Sequence, residues 1–125
     1  MATTKEFIQS LKYNSDGLIP AVVQDVHDKR VLMVAYMSPE SLERTLATGQ
    51  ATYYSRSRQK LWLKGETSGH LQHVQRITFD CDRDTLILHV EQVGVACHEG
   101  YRSCFYREAL FNEGSVNEIV IGSKE

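Results

Sequence analysis

The sequence predicts an α+β fold, a mostly antiparallel β-sheet with two short helices, in a single domain over residues 1–125. Two stretches combine helical spacing of apolar residues with capping residues at their ends. Several others are rich in β-branched and aromatic residues and are separated by short polar turns, as in antiparallel hairpins. A chain of this length buries roughly two-thirds of its unfolded surface, so it can form a core without disulfides.

The two helices are predicted from their ends. The first covers residues 4–12, where apolar side chains share one face and an acidic residue lies in the first turn. The second begins after Ser38 as N-cap, has Pro39 in its first position and ends at Gly49. The strands are predicted as three successive pairs, at residues 18–26 and 31–37, 52–58 and 61–64, and 74–82 and 85–93.

Composition restricts the partners and the compartment. A net charge of −2 argues against bulk attraction to nucleic acid, so any phosphate binding must use a local basic cluster. The first residues lack a basic segment followed by an apolar run, so neither secretion nor a membrane partner is indicated. Three cysteines cannot all pair. We therefore expect a cytoplasmic protein with reduced thiols.

The cysteines are Cys81, Cys97 and Cys104, and the last two flank a polar segment. Thiolates select zinc, and a catalytic zinc site keeps three protein ligands and a position for water, whereas a structural site closes with four. A free cysteine is otherwise a small buried hydrophobe, and Cys81 on an apolar strand face fits that alternative. The spacing matches no common four-cysteine finger or redox pair.

Three aspartates, Asp80, Asp82 and Asp84, lie at the predicted tip of the last hairpin. They repel one another unless a cation offsets them, which favours a divalent ion such as magnesium; a solvated turn is the alternative. Strand alternation would place Cys81 on the face opposite Asp80 and Asp82. Three explanations stay open: a bulge that redirects one of these side chains, different metals on the two faces, or a role of Cys81 in the site of a partner subunit.

Two histidines and one basic run are further candidates. His70 ends a loop with two glycines, and His98 adjoins a presumed ligand, which makes His98 the better candidate for proton transfer. The basic run could grip phosphate through arginine forks and serine hydroxyls, although such runs are usually solvated. Its residues are Ser55, Arg56, Ser57 and Arg58, with Lys64 nearby. A structural role is assigned to His27 in a turn, His73 at a strand flank and His89 on the solvent side of a strand.

The chain closely resembles the phosphoribosyl-AMP cyclohydrolase family of histidine biosynthesis, in its monofunctional form. The resemblance runs from residue 18 to residue 106 through several segments in the same order. Two departures from the usual pattern are Glu99, where threonine is common, and Lys29-Arg30, where a Thr-Gly pair is common. The segments are LIPAVVQD (18–25), VLMVAYM (31–37), YSRSR (54–58), LWLKGETSGH (61–70), DCDRD (80–84) and CHEGYRSCFY (97–106).

The resemblance implies a homodimer with two-fold symmetry in which zinc is shared between subunits. Its zinc ligands would be Cys81, Cys97 and Cys104, and its magnesium ligands Asp80, Asp82 and Asp84. The implied reaction is hydrolytic opening of the purine ring of 1-(5-phosphoribosyl)-AMP at the N1 to C6 bond by a zinc-activated water. We assign His98 as the base and His70 as the second proton carrier, with Arg56, Arg58, Lys64 and the two serines holding phosphates.

Two rival functions can be tested against the sequence. A zinc nucleotide deaminase needs His-x-Glu or Cys-x-Glu followed by Pro-Cys-x-x-Cys. The segments 89–91 and 97–99 supply the first half, but no second half follows. A binding module with structural zinc, for instance on nucleic acid, would need a fourth ligand and a basic surface; a histidine could complete the ligands, but the net charge is −2.

Overall fold

The computed structural model describes residues 1–125 and confirms the α+β class, with two helices and eight mostly antiparallel strands. Neither helix is long and apolar enough to cross a membrane. In chain order, the elements are α1 (Thr4–Ser10), β1 (Ile19–Asp25), β2 (Val31–Met37), α2 (Pro39–Thr48), β3 (Thr52–Ser55), β4 (Lys60–Leu63), β5 (Gln72–Phe79), β6 (Leu86–Gln92), β7 (Arg107–Asn112) and β8 (Ser115–Val120).

The central sheet has the strand order β2-β1-β6-β5. The strands β1 and β6 run parallel, whereas β1 with β2 and β5 with β6 are antiparallel. Residues along β1 alternate between buried and half-buried, because successive side chains point to opposite faces. One face carries the hydrophobic core together with side chains from both helices and β3. The strands β3 and β4 form a separate hairpin, as do β7 and β8.

Both helices begin and end at identifiable caps. Thr3 and Glu6 form a reciprocal capping box at α1, and the backbone turns extended at Leu11, so α1 ends at Ser10 rather than at residue 12. The helix α2 begins after Ser38 and ends at Gly49, as predicted. Gly49 has φ 76°, a left-handed conformation that glycine adopts without steric cost.

Two predicted strands end three residues earlier than expected, and both shortenings concern candidate site residues. The strand β3 ends at Ser55, so Arg56 and Arg58 lie in a turn. The strand β5 ends at Phe79, and the following aspartates also lie in a turn rather than on a strand face. Strand alternation therefore does not place Cys81 on the face opposite Asp80 and Asp82, because β5 does not extend to residue 82 as predicted.

The C-terminal hairpin of β7 and β8 was not predicted. Every residue of both strands is exposed, so their polar and apolar side chains do not alternate between solvent and core. The turn itself carried a usable signal, because the Asn-Glu-Gly-Ser sequence at residues 112–115 is typical of hairpin loops. Gly114 has φ 73° in that turn.

Candidate functional site

Cys97 and Cys104 both lie in the loop that follows β6, and their thiols are close enough to interact electrostatically. The loop folds back on itself because the Cys97 amide donates to the carbonyl of Tyr101 at 3.1 Å. It is joined to β2 by the Cys104 amide, which donates to the Leu32 carbonyl at 2.7 Å. Cys97 is buried and Cys104 is exposed. This pair offers two soft sulfur ligands, which suit zinc, and the predicted three-cysteine site needs one more.

Lys64 lies beside the two thiols. Its side chain is half-buried, and its Nζ donates to the carbonyl of Ala96 at 2.5 Å. Burial lowers the pKa of Lys64, while the nearby Cys104 and Cys97 act to raise it. Burial raises the pKa of Cys104 to about 11, Cys97 adds to that rise, and Lys64 opposes it. The ammonium and the thiols are thus electrostatically linked.

The basic run does not gather in one place. The hairpin of β3 and β4 has residues 56–59 at its tip, whereas Lys64 follows β4 at the opposite end, where its amide donates to the Ala51 carbonyl at 3.0 Å. Ser55 and Ser57 are 3.4 Å apart between their hydroxyls, and the Arg58 amide donates to Ser55. Lys64 therefore lies with the cysteines and apart from the arginines.

His70 adjoins the thiol pair through the same loops. Its ring packs against Gly94, two residues before the Ala96 carbonyl that Lys64 contacts. Its amide donates to Ser68 Oγ at 3.2 Å, and Gln92 Nε2 donates to its carbonyl at 3.3 Å. Sequence reasoning did not identify Gly94 as a contact of His70; a glycine directly after a strand was the available signal. We call the set Cys97, Cys104, Lys64 and His70 the thiol end.

His98 is exposed in the turn directly after Cys97. The side chain of the neighbouring Glu99 is bound to Tyr106, whose hydroxyl donates a hydrogen bond to Glu99 Oε2 at 2.8 Å. That bond raises the pKa of Tyr106. The Tyr106 ring is stacked on Tyr101 with ring centres 3.7 Å apart. The glutamate at position 99 thus connects the turn to Tyr106, the residue directly before β7.

The three aspartates come together in the turn between β5 and β6, where Asp80, Asp82 and Asp84 each offer a carboxylate oxygen within 4.8 Å of the others. Oδ1 of Asp80 accepts the amides of Asp84 at 3.0 Å and of Thr85 at 3.2 Å. The neighbouring Asp82 and Asp80 raise the pKa of Asp84. Desolvation acts to raise the pKa of Asp80, but hydrogen bonds with Asp84, Asp82 and the Thr85 amide together lower it. A hard divalent cation fits this donor set.

Cys81 is exposed in that same turn. Beside the turn lies a cleft of about 420 Å³ that includes Asp84 and Tyr36 in its lining. The guanidinium of Arg56 lies 4.1 Å from the centre of the Tyr36 ring, so one cation of the basic run contacts a residue that lines this cleft. We call the set Cys81, Asp80, Asp82, Asp84 and Arg56 the carboxylate end.

The two ends lie at opposite ends of the central sheet. The aspartate turn leads into the first residue of β6, and the loop with the thiols follows its last residue. Seven residues of strand span roughly 20 Å. Two sulfurs on one zinc ion, each about 2.3 Å from the metal, cannot be more than about 5 Å apart. Within one chain Cys81 therefore cannot join Cys97 and Cys104.

His89 is buried within β6, where a solvent-facing position was expected. Its Nε2 is 2.9 Å from Oγ1 of Thr78 on the neighbouring strand β5. The prediction was wrong because it assumed that the second face of the sheet is bare, whereas side chains of adjacent strands cover this position. A histidine held inside the sheet is unsuited to the deaminase role that segment 89–91 suggested.

Comparison with known proteins identifies the family. The sequence profile described as PRA-CH, phosphoribosyl-AMP cyclohydrolase, matches residues 33–106. The phosphoribosyl-AMP cyclohydrolase of Pelotomaculum thermopropionicum is 56% identical over 118 residues, which cover 94% of this chain and 89% of the relative. The chain belongs to the phosphoribosyl-AMP cyclohydrolase family. It is accordingly a hydrolase of histidine biosynthesis.

Two further relatives show the range of the family. The phosphoribosyl-AMP cyclohydrolase of Haloquadratum walsbyi is 61% identical over 97 residues, covering 78% of this chain and 74% of the relative. The histidine biosynthesis bifunctional protein HisIE of Prochlorococcus marinus is 58% identical over 113 residues, covering 90% of this chain but 50% of that protein. The chain therefore corresponds to one part of the bifunctional relative and to most of the monofunctional cyclohydrolases.

Proposed function

We propose that this chain catalyses the hydrolytic opening of the purine ring of 1-(5-phosphoribosyl)-AMP. Water adds at C6, the N1 to C6 bond breaks, and a proton is delivered to N1, which gives the phosphoribosyl-formimino imidazole carboxamide ribonucleotide. Membership of the family supports the substrate. The observation that carries the mechanism is the division of the site residues into a thiol end and a carboxylate end at opposite ends of one sheet.

The division supports a site assembled from two copies of this chain. Cys97 and Cys104 of one copy would hold zinc together with Cys81 of the other. In a two-fold dimer this contact occurs twice, so both sites are completed by the same exchange. Zinc, when bound there, would activate water for attack on C6. Free cysteines at both ends also fit the reducing cytoplasm that we expect for this protein.

The exposed area of the chain supports the dimer independently. The chain exposes 8001 Å² and buries only 26 of its 125 residues. A compact monomer of 14.2 kDa would expose roughly 6,800 Å², so about 1,200 Å² is in excess. A standard interface removes about 800 Å² from each partner. The excess is thus large enough for one such interface.

The C-terminal hairpin of β7 and β8 is exposed at every strand residue in the single chain. A hairpin of two strands is marginally stable in water by itself. Here it carries large apolar side chains that are strongly exposed, Phe111 by 85% and Val116 by 66%. These two residues are cross-strand partners and so share a face. Because β7 begins three residues after Cys104, a second copy that brings Cys81 to the thiols also comes alongside this hairpin.

The carboxylate end would bind the phosphates. Asp80, Asp82 and Asp84 would hold magnesium, which when bound would supply positive charge for the phosphates. Arg56 is fixed over Tyr36 and can grip a second oxyanion with its guanidinium fork. Arg58, with Ser55 and Ser57 in the same turn, would add further donors. The nucleotide itself would lie between this end and the thiol end of the partner.

Two histidines at the thiol end would move the protons. His98, exposed next to Cys97, would take the proton from the attacking water. His70, held by Gly94 and Gln92, would deliver a proton to N1 as the bond breaks. Imidazole suits both tasks because its ordinary pKa lies near neutral pH.

The test follows ring opening of 1-(5-phosphoribosyl)-AMP by the purified dimer. We expect activity with zinc and magnesium, loss of activity after chelation and recovery when zinc is restored. The His98→Ala variant should retain zinc and lose most turnover, while Glu43→Gln, on the exposed face of α2, should behave as wild type. No ring opening under any metal condition would refute the proposed reaction. Normal turnover of zinc-loaded His98→Ala would refute the role of His98 as base.

A further inference from the structure

We propose that Lys64 is a positioning residue whose charge stabilises the zinc site only when all three thiolates are present. The inference rests on the proposed function and explains a lysine that sequence reasoning assigned to phosphate. Lys64 is half-buried, its ammonium is bound at 2.5 Å to the carbonyl of Ala96, the residue directly before Cys97, and Cys104 and Cys97 lie close enough to interact with its charge. A half-buried ammonium is costly unless an opposite charge lies close to it.

Charge arithmetic identifies that opposite charge. A zinc ion bound by the two thiolates of a single chain has no net charge, so it does not act as a counterion for the Lys64 ammonium. Zinc with three thiolates carries one net negative charge, which the ammonium neutralises. Arrival of Cys81 from the partner thus gives Lys64 its counterion. Three thiolates also make zinc a weak acid, and the lysine offsets that loss.

The position of Lys64 disfavours a phosphate role. One of the three N–H donors of Lys64 is already committed to Ala96. Within one chain the aspartates and Arg56 lie at the other end of the sheet, and the arginine turn is at the far tip of the β3 and β4 hairpin, so Lys64 cannot hold a phosphate together with Arg56 of the same chain. Trp62 further confines the ammonium, which lies 5.7 Å from the centre of the indole.

The experiment measures zinc affinity by competition with a chromophoric chelator, without substrate. Lys64→Met should weaken zinc binding roughly tenfold, the scale of one removed unit charge near a partly buried site, and Lys64→Arg should restore most of it. Lys5→Met, on the exposed surface of α1, is the matched control and should bind as wild type. Lys64→Gln, with thermal unfolding of each variant, covers the case in which Lys64→Met folds poorly.

The decisive comparison combines Lys64→Met with Cys81→Ser. If the charge acts on the third thiolate, Lys64→Met should have little further effect in the Cys81→Ser background. The pH profile of kcat for Lys64→Met should shift to higher pH. An unchanged zinc affinity and pH profile with a raised KM would overturn the proposal in favour of phosphate binding. If the effects of Lys64→Met and Cys81→Ser on zinc affinity are coupled but the wild type does not open the purine ring, the proposed function is refuted and the role of Lys64 stands.

Discussion

The ring of His70 packs directly on Gly94, so closely that a methyl group at Gly94 would lie 2.4 Å from Cδ2 of the imidazole. Gly94 also has φ 65°, which L side chains rarely adopt. The Gln92 side chain links the two segments. Its Nε2 donates to the carbonyl of Val93, the residue before Gly94, at 2.9 Å and to the backbone carbonyl of His70 at 3.3 Å. One glycine thus sets where this imidazole can lie.

Gly94→Ala should reduce kcat by displacing His70. We expect a loss on the order of 100-fold, since a catalytic group misplaced by about 1 Å costs that much. Gly49→Ala is the control, because Gly49 has a similar φ of 76° with nothing within 4 Å of the added methyl. Both variants should lose about 1 kcal/mol of unfolding free energy from the left-handed backbone. Equal kcat in the two variants would show that His70 does not act in turnover.

The loop of the two cysteines is held by an ion pair that should depend on pH. Arg102 donates to both carboxylate oxygens of Asp28, at 2.7 and 2.9 Å, and these bonds hold the pKa of Asp28 below its ordinary value. A lowered native pKa stabilises the fold above the unfolded pKa of about 3.9 and loses that contribution as pH falls below it.

Denaturation of wild type and Asp28→Asn between neutral pH and pH 3 measures this contribution. The variant should be less stable at neutral pH, and the difference should shrink as the solution is acidified. The effect is modest because the Asp28 side chain is 54% exposed. Asp16→Asn, exposed and outside the ion pair, serves as control. A difference that stays constant down to pH 3 would contradict this role of Asp28.

Lys29→Gly should stabilise the protein. Lys29 has φ 68° in the turn before β2, a left-handed conformation that residues other than glycine rarely adopt. Glycine removes the left-handed penalty of about 1 kcal/mol but adds unfolded entropy, so the net gain should be about 0.5 kcal/mol. Thermal unfolding measures it. Lys29→Ala keeps the penalty and should give no gain; an equal gain from both variants would exclude backbone strain as the cause.

Phe111→Asp should weaken the dimer without unfolding the chain. The ring is 85% exposed in one copy, so a charge there costs little in the monomer but is buried at the proposed interface. We expect the dimer dissociation constant, from analytical ultracentrifugation, to rise roughly tenfold or more. Asn112→Asp is the control, because it adds the same charge at the neighbouring position of the hairpin, where the side chain lies on the opposite face. Unchanged association of Phe111→Asp would place the interface elsewhere.

Local patterns predicted the elements better than their ends. Caps at Ser38 and Gly49 bounded α2 because those residues act on their immediate backbone. The end of β5 at Phe79 was missed because the Asp80 side chain binds amides further along, an alternative to strand pairing that periodicity does not report. The sequence also grouped Lys64 with Arg56, whereas the hairpin of β3 and β4 separates them. Distances between segments arise only from tertiary packing.

The central claim is that each active site takes Cys81 from one subunit and the thiol pair from the other. Cys81→Ser and Cys104→Ser should each be inactive and bind zinc weakly. Dimers assembled from a mixture of the two variants contain one site with all three cysteines in each mixed pair. Activity should therefore return to about a quarter of wild type if subunits assort randomly. Mixed dimers without activity, or full activity of Cys81→Ser alone, would contradict the shared site.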